Sequence, residues 1–434
     1  TTYRPYTPTA SVMNWTGADL TATLFWSPFS SIEALTELVT GAAKGSRIYF
    51  GTPGWSSWNS CSFPPNYDDD ACDGCSVREM QNDSFPMFPA VLNALHEQKA
   101  EVTILTNDFG VGTCPGLITP LDFMALNGAK IATYTSTTFW HSKFLRVECS
   151  PPQCSGGENK TAVSSVNFSK TSFLRNREAG VIFTDAGAGA DMAAYFMKTY
   201  TRDFAQATPF VPPSDYSPSE MEEITSSAHY PVTFPPPPTI PHAYQPPRPY
   251  LDAKKDVQVS VAAAPDATRD WFLGALNSST SSFVLFVYQV TDQGFADALV
   301  ATANRGVNVS LLVSSRIFDA SDNETAFGQI YPYLASHAPS ISITLTPDFF
   351  EFSHQKVWVV DEATAYIFTG NWSPSDAPWP PSQSNSYPPY SSPLWQNVNR
   401  DFGVAVGGTG GQHWVQQVLE TFQQDAAQGT RYHP

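Results

Sequence analysis

The chain has 434 residues, of which 42% are hydrophobic and 15% are charged, and its formal net charge is -17 at pH 7. This length exceeds the usual size of one domain and predicts two domains or one large two-lobed unit. The acidity argues against broad, salt-dependent adhesion to nucleic acid, because such binding needs Lys and Arg to neutralise phosphates. A polyanionic substrate must therefore be gripped locally. No run of about 18 apolar residues occurs, so the sequence predicts no stable membrane insertion.

The first half of the chain alternates between strand and helix patterns after an irregular arm over residues 1–18. Hydrophobic periodicity predicts helices at 31–43, 88–99, 120–127 and 191–204, and strands at 47–51, 102–106 and 130–134. Residues 54–84 show neither period and contain several aromatic residues, including Trp55. Loops of this length are usually functional or disordered, so we expect an ordered pocket rim or a surface insertion.

A proline-rich segment separates this half from a second one. Thirteen prolines fall between residues 209 and 249, which predicts an extended linker or surface strap without helix or strand. Strands are then predicted at 257–261, 283–288, 307–313 and 341–345, and helices at 268–276, 295–304, 325–337 and 414–424. The predicted divisions are an arm at 1–18, a lobe at 19–208, a linker at 209–250 and a lobe at 251–434. Each lobe should be an α/β unit with a largely parallel mixed sheet flanked by helices.

Two stretches of the sequence carry corresponding sets of polar residues, and the first three residues of each set have the same spacing. The copy in the second half comprises His354, Lys356, Asp361, Thr369 and Asn371. The copy in the first half comprises His141, Lys143, Glu148, Ser165 and Asn167. Residues two apart on a strand point to one face, so each histidine and lysine should share a wall. A histidine, a cation and an amide together form a pocket for an oxyanion, and phosphate is the predicted one.

These copies resemble the phospholipase D superfamily, whose motif is H-x-K-x4-D-x6-G-S-x-N and which places two copies around one active site. The second copy keeps the full spacing, with Phe368 in place of the glycine and Thr369 in place of the serine. The first copy has Glu148 in place of the aspartate and nine extra residues before its asparagine. The resemblance implies a metal-independent phosphodiesterase without a cofactor, with one active site between two pseudo-symmetric lobes.

The resemblance also implies roles for the residues. His141 is expected to attack phosphorus and His354 to act as the general acid, although the pseudo-symmetry permits the reverse order. The two lysines and two asparagines would hold the phosphoryl oxygens, and four residues would support the site: Glu148, Asp361, Ser165 and Thr369. Glu178 and Asp401 match the acids that orient each imidazole in the family, the alternative being strand-end carboxylates that face water. Candidates for stacking on bases or holding an acyl chain are Trp55, Trp372 and Trp379, which could equally be packing residues.

Within the superfamily, the pattern is most similar to the animal lysosomal phospholipase-D-like exonucleases, which degrade single-stranded nucleic acid from the 5′ end. The likeness rests on HSKF in the first copy, on GNWS in the second and on the segment at residues 283–314. Two alternatives stay open. The chain could be a phospholipase D that releases phospholipid head groups, or a catalytically silent binding relative.

Cysteines and glycosylation sequons indicate the cellular compartment. Six cysteines lie at positions 61, 72, 75, 114, 149 and 154, and Cys149–Cys154 is the most plausible local disulfide. A zinc site built from the first four is the alternative. Sequons occur at Asn14, Asn82, Asn159, Asn277, Asn308 and Asn323, and the chain starts at Thr1 without a leader. We therefore expect a processed, N-glycosylated protein that is secreted or lysosomal or vacuolar.

Overall fold

A computed structural model describes the chain at residues 10–59, 74–107, 117–134, 138–154, 156–226, 229–236, 238–239, 241, 244–245, 247, 250–379 and 398–434. Three cysteines of the predicted disulfide or zinc set lie outside these residues: Cys61, Cys72 and Cys114. Among the helices of the described residues, none combines the length and apolar character needed to cross a membrane.

The first half of the chain contains nine strands and seven helices within the described ranges. The strands are β1 Met13–Ser27, β2 Arg47–Gly51, β3 Glu101–Asn107, β4 Lys130–Tyr134, β5 Thr138–Trp140, β6 Lys143–Glu148, β7 Lys160–Ser164, β8 Glu178–Thr184 and β9 Thr208–Pro209. The helices are α1 Ser31–Thr40, α2 Val77–Gln81, α3 Met87–His96, α4 Pro120–Leu126, α5 Lys170–Leu174, α6 Ala188–Gln206 and α7 Pro218–Ile224.

The second half repeats this order. Its strands are β10 Tyr250–Ala263, β11 Ser282–Val287, β12 Asn308–Val313, β13 Ser342–Leu345, β14 Lys356–Val360, β15 Thr364–Phe368, β16 Val398–Arg400, β17 Phe402–Gly407 and β18 Thr430–Arg431. Its helices are α8 Thr268–Ser278, α9 Gln293–Asn304, α10 Ala320–Asn323, α11 Tyr331–His337 and α12 Gly408–Gln428, and a π-helical segment at Glu324–Ile330 precedes α11.

One sheet runs through both halves. Its strand order is β18-β13-β12-β11-β14-β15-β17-β10-β1-β8-β7-β6-β2-β3-β4-β9, so the order on one side of the central β10–β1 pair mirrors that on the other. The predicted α/β class is confirmed. Within the described sheet, parallel pairing is limited to β2–β3–β4 and β11–β12–β13. The remaining neighbours are antiparallel, so the sheet is less parallel than we expected, because helical crossovers connect only these two groups of strands.

Two segments are more regular than their sequence suggests. β1 begins at Met13 and pairs with β10, so residues 13–18 lie in a strand and not in an irregular arm. The proline-rich segment contains α7, which has a capping box between Ser217 and Glu220. Pro218 occupies the first turn of α7, where a missing N–H costs no hydrogen bond. The stretch at 54–84 likewise contains the short helix α2.

Among the residues that the structure describes, three hydrophobic clusters form the core, and one of them joins the two halves. It contains residues from both sides of the β1–β10 pair, among them Trp26, Phe144, Phe402 and Trp414. The predicted Cys149–Cys154 disulfide is confirmed. Cys75 is also disulfide-bonded, which removes it from the alternative zinc set.

Candidate active site

The backbone just before the strand of each motif is hydrogen-bonded to the opposite half of the chain. The N–H groups of His141 and Ser142, just before β6, donate to the Arg400 carbonyl over 3.0 and 2.7 Å. The N–H groups of His354 and Gln355, just before β14, donate to the Arg177 carbonyl over 2.8 and 3.0 Å. The histidines therefore lie two residues before their strands, and each half of the chain fixes the backbone of the other half's histidine.

His354 is held by an acid from the first half. Its Nδ1 lies 3.0 and 3.1 Å from the two carboxylate oxygens of Glu178, which is fully buried. Glu178 also accepts from Ser165 Oγ at 2.6 Å and from Asn176 Nδ2 at 3.2 Å. Burial raises the pKa of Glu178, but His354, Lys356 and the hydrogen bond from Ser165 outweigh it, and the pKa is lowered. A carboxylate only accepts hydrogen bonds, so Nδ1 carries the proton and the neutral ring has a free lone pair on Nε2.

His141 is held by acids from the second half. Its Nδ1 lies 3.1 Å from Asp401 Oδ1 and 3.2 Å from Asp376 Oδ1. Thr369 Oγ1 donates to Asp401 Oδ1 over 2.6 Å, as Ser165 does to Glu178 in the other copy. Glu178 and Asp401 thus do not face water. They lie against the imidazoles, and each acid contacts the histidine of the opposite half.

Asp376 was not among the residues that the motif singles out. Its carboxylate is fully buried and accepts from Ser373 Oγ at 2.5 Å and from Asn399 Nδ2 at 2.7 Å. Asp376 follows Asn371 by five residues and lies in a turn. The fold brings this turn to His141 of the other half, so the motif spacing does not reveal the contact. Burial raises the pKa of Asp401, and the adjacent Asp376 carboxylate raises it further, despite the opposing effect of His141. His141 and Ser373 hold the pKa of Asp376 below its ordinary value in spite of burial.

The two imidazoles are in different electrostatic surroundings. Burial lowers the pKa of His354 to about 4, because Lys356 and Lys143 add to the effect of burial and Glu178 only partly opposes it. At His141, burial and Lys143 likewise act to lower the pKa of the ring. There, however, the Asp401 and Asp376 carboxylates outweigh them, and the pKa is raised.

Two buried lysines lie close enough to the histidines to act on their protonation. Lys143 Nζ donates to the Thr369 carbonyl over 3.3 Å, and burial lowers its pKa to about 8 against the attraction of the nearby carboxylates. Lys356 Nζ has no hydrogen-bond partner among the described residues, and burial and Lys143 lower its pKa well below the ordinary value. Asn371 Oδ1 is also buried without a partner within the described part of the chain, and Asn167 is half-buried. Lys143 of the first copy donates to Thr369 of the second copy, and Glu178 of the first half contacts His354 of the second, so the two motif copies form one site.

The carboxylates that close each motif lie away from the imidazoles. Glu148, at the end of β6, pairs with Arg47 at 2.8 Å and with Arg146 at 3.6 Å. Asp361, just after β14, accepts from the backbone N–H groups of Thr280, Ser281 and Ser282. Both acids therefore support strand ends and do not contact the reacting groups, and Glu148 can replace an aspartate because it works through an arginine.

Two of the three predicted stacking residues belong to the core. Trp55 is 4% exposed and stacks on Phe168 at 4.9 Å between ring centroids. Trp372 is fully buried and stacks on Phe272 at 4.9 Å. Neither ring has a free face for a base or an acyl chain, so their predicted role in binding substrate is wrong. Trp379 is half-buried with the Arg269 guanidinium 3.6 Å above its ring, and its binding role stays a prediction.

Another aromatic pair lies closer to the site. The Tyr288 ring is 5.0 Å from the His354 ring, and Tyr288 Oη accepts from the Phe318 N–H over 2.6 Å. The Phe318 side chain is 78% exposed. Both residues follow the carboxyl ends of parallel strands, β11 and β12, where α/β sheets commonly bind ligands. That position is the sequence signal by which they could have been found.

His141, Asp376 and Asp401 offer ligand atoms within 4.8 Å of one another, a spacing that a cation could bridge. The motif residues alone do not indicate this cluster, because Asp376 lies outside the motif. The Nδ1 atom of His141 is engaged as a donor to both carboxylates, and Lys143 supplies positive charge beside them. This donor set fits a hydrogen-bonded charge cluster better than a metal site. With both Nδ1 atoms engaged by carboxylates, each imidazole retains its Nε2 atom for other contacts, and two buried lysines lie nearby.

Comparison with known proteins agrees with this geometry. The sequence matches the family described as "Cardiolipin synthase, PLD-like domain" over residues 80–204 and 272–378, more than half of the chain. No curated protein sequence matches it.

Solved structures with a similar fold include two that span nearly the whole chain. Phosphatidylserine synthase from Haemophilus influenzae Rd KW20 is 11% identical, with a TM-score of 0.57, 96% of this chain covered and 89% of that chain. Polyphosphate kinase from Porphyromonas gingivalis is 10% identical, with a TM-score of 0.52, 95% of this chain covered and 50% of that one. Nuc, a phospholipase D family member from Salmonella typhimurium, is 21% identical over 41% of this chain and 99% of its own, with a TM-score of 0.31.

Proposed function

The chain belongs to the phospholipase D superfamily, and on that premise we propose that it is a metal-independent phosphodiesterase that works through a covalent phosphohistidine. Its proposed substrate is single-stranded nucleic acid, cleaved from the 5′ end. The observation that carries the proposal is the pair of half-buried imidazoles, each held through Nδ1 by a carboxylate from the opposite half.

The proposed reaction has two steps. One Nε2 attacks phosphorus and forms an N–P bond, while the other imidazole gives its Nε2 proton to the leaving oxygen as the P–O bond breaks. Water then attacks phosphorus, the second imidazole takes a proton from it, and the N–P bond breaks. Two imidazoles in opposite protonation states can thus supply the nucleophile and the proton.

The buried lysines would stabilise the phosphoryl oxygens. Lys356 Nζ is a buried cation without a hydrogen-bond partner among the described residues, and a bound phosphoryl group would supply the missing acceptor. Lys143, Asn167 and Asn371 would complete the set. A well-placed donor of this kind contributes about 3 to 4 kcal/mol in the transition state.

Phe318 supports nucleic acid as the substrate. The Phe318 side chain is exposed, and the backbone N–H of Phe318 donates to Tyr288 Oη. The Tyr288 ring in turn contacts the His354 ring. Stacking on an aromatic side chain accepts any base, which suits an enzyme without sequence preference. Arg175, three residues before Glu178, pairs with Glu351 at 3.6 Å but keeps 70% of its side chain exposed, so it could also contact an anionic substrate.

The test is incubation with a 5′-hydroxyl single-stranded oligonucleotide between pH 4.5 and 7. We expect release of mononucleotides from the 5′ end by the wild type and none by H354A or H141A. A duplex of the same sequence serves as the control substrate. No release from the single strand anywhere in this range would overturn the nucleic-acid substrate.

Release of phospholipid head groups is the second candidate, because the matched family is described as a cardiolipin synthase domain. It predicts choline release from phosphatidylcholine vesicles and transfer to added alcohol. A chain inactive on both substrates would be the silent binding relative. The engaged carboxylates and the buried lysine without a described partner favour an active site over that outcome.

We also propose that the protein follows the secretory route as a glycoprotein and is secreted or lysosomal or vacuolar. The Cys149–Cys154 disulfide and the exposure of five sequon asparagines support this proposal: Asn14, Asn82, Asn277, Asn308 and Asn323. Asn159 is different, because its Oδ1 accepts from the Cys149 N–H over 2.6 Å and its side chain is half-buried. Glycan-site mapping of protein from its native source should find sugar on the exposed set and none on Asn159.

A further inference from the structure

We propose that Asp376 is a positioning residue that, with Asp401, fixes the proton on His141, which makes His141 the general acid and His354 the nucleophile of the first step. This inference rests on the proposed phosphodiesterase function and deepens it. It reverses the order that the family resemblance suggests.

The two halves place different numbers of carboxylates beside their histidines, and one position accounts for the difference. Asp376 lies five residues after Asn371, and the corresponding position five residues after Asn167 is Ser172. In the first half, Asn176 Nδ2 donates to Ser172 Oγ over 3.4 Å and to Glu178 over 3.2 Å. The first half therefore places one carboxylate, that of Glu178, against His354, and the Asn176 amide links this carboxylate to the Ser172 hydroxyl.

In the second half the same framework carries a carboxylate in place of the hydroxyl. Asn399, two residues before Asp401 as Asn176 is before Glu178, donates to Asp376 Oδ1 over 2.7 Å. The second oxygen of Asp376 accepts from Ser373. The exchange of serine for aspartate thus adds a second acceptor 3.2 Å from His141 Nδ1, beside the one at 3.1 Å.

The charged groups facing each imidazole differ accordingly. His141 faces two carboxylates, Asp401 and Asp376, and one cation, Lys143. His354 faces the single carboxylate of Glu178 and two cations, Lys356 and Lys143. The surroundings of His141 favour an imidazolium ion and those of His354 a neutral ring. The raised pKa of His141 and the lowered pKa of His354 agree with this arrangement.

The chemistry follows from the two protonation states. Neutral His354 attacks phosphorus with the Nε2 lone pair, and the bond from phosphorus to the leaving oxygen breaks. His141 gives its Nε2 proton to that oxygen and becomes neutral. It then takes a proton from the attacking water as the bond from His354 Nε2 to phosphorus breaks, which restores both rings.

The order of the histidines is tested with a nucleoside 3′-(p-nitrophenyl phosphate), in which p-nitrophenolate replaces the 5′-oxygen of the next nucleotide and leaves without a proton. H141A should release a burst of about one equivalent of p-nitrophenol and then stall, with the phosphoryl group trapped on His354. H354A should give no burst. A burst from H354A and none from H141A would overturn the proposed order, and so would the absence of a burst from both variants while the wild type turns over. Failure of the wild type on this ester and on the oligonucleotide would instead overturn the proposed function.

The role of Asp376 is tested with D376N, which keeps the shape and removes the charge, and with D376S, which copies the first half. Both should move the basic limb of the kcat/KM profile to lower pH by about one unit or more, since a one-unit shift corresponds to the loss of a modest charge interaction. The loss of kcat should be at least about tenfold larger for an alkyl leaving group than for p-nitrophenolate.

The matched control is D185N. Asp185 follows the last residue of β8, whereas Glu178 is the first residue of that strand, and the Asp185 carboxylate pairs with Arg146. D185N should leave the profile unchanged. S172D should impair turnover by giving His354 the second carboxylate. Unchanged basic limbs in both folded Asp376 variants, relative to D185N, would show that Asp376 is only structural and would overturn its proposed role.

Discussion

Arg177 Nε donates to Asp425 Oδ2 over 2.8 Å, and both side chains are fully buried although 248 residues separate them. Arg177 belongs to the first half of the chain and Asp425 to α12 of the second. The reciprocal pair joins Arg400 of the second half to Asp203 on α6 of the first over 2.6 Å. The carbonyls of the same two arginines hold the histidine backbones, so these ion pairs fix the site as well as the junction of the halves.

The first prediction concerns this junction. D425N should lower the free energy of unfolding by about 3 to 5 kcal/mol, because it leaves a buried guanidinium without its counter-charge. Urea denaturation measures the loss. The exposed pair between Lys130 and Glu101 provides the control, and E101Q should cost less than about 1 kcal/mol. Equal effects of the two variants would contradict the structural role of the buried pair.

A second prediction concerns the pH dependence of activity. The lowered pKa of His354, about 4, predicts that this ring stays neutral and reactive down to that pH. The raised pKa of His141 predicts that it remains protonated above the pH at which an ordinary imidazole loses its proton. The kcat/KM profile should therefore be bell-shaped, with its acidic limb near pH 4 and its basic limb above about pH 6.5. An acidic limb near pH 6.5 would contradict the assigned environment of His354.

The same shift makes a prediction for stability. Because the folded-state pKa of His354 lies below its unfolded value, the unfolded chain binds this proton more readily between about pH 6.5 and pH 4. The His354 contribution to stability should therefore be lost as the pH falls through this window. His141 should behave in the opposite sense, with a contribution present at low pH and lost as the pH rises through its raised pKa. Denaturation of H354Q and H141Q against the wild type over this range separates the two contributions.

Lys356 leads to a prediction about anion binding. Removing a buried charge without a described hydrogen-bond acceptor relieves a desolvation cost, so K356M should raise the melting temperature of the phosphate-free protein. The wild type should gain stability from added inorganic phosphate, whereas K356M should gain much less. K130M, which changes an exposed lysine, is the control and should keep the phosphate response. A phosphate-dependent shift of wild-type size in K356M would place the anion elsewhere.

The aromatic residues give a prediction that separates binding from packing. F318A should raise KM for a single-stranded oligonucleotide by roughly 5- to 150-fold, the range expected for loss of one stacking contact of about 1 to 3 kcal/mol, and should barely change stability. W372A should instead lower the free energy of unfolding by about 3 to 5 kcal/mol, because it opens a cavity in the core. F318Y, which retains a ring, should keep KM near the wild-type value. An unchanged KM in F318A would remove Phe318 from the substrate path.

Local patterns in the sequence predicted the local structure well. The helices at 31–43 and 88–99 and the strand at 47–51 coincide closely with α1, α3 and β2. The spacing of His354, Lys356 and Asn371 identified most of the site, because these residues lie within one β-hairpin and the turns beside it. Long-range relationships were not predictable in the same way. The pairing of β1 with β10 depends on partners far apart in the chain, and the contact of Asp376 with His141 exists only when a turn of one half meets a strand entry of the other.

The exchange of acids between the halves has a consequence for any divided form of the chain. A fragment ending in the proline-rich segment would carry His141 without Asp401, and its complement would carry His354 without Glu178. Each fragment alone would be chemically incomplete, however well it folded. Co-expression of the two should restore turnover in a one-to-one heterodimer, since their shared sheet edge and reciprocal ion pairs would serve as the docking surface.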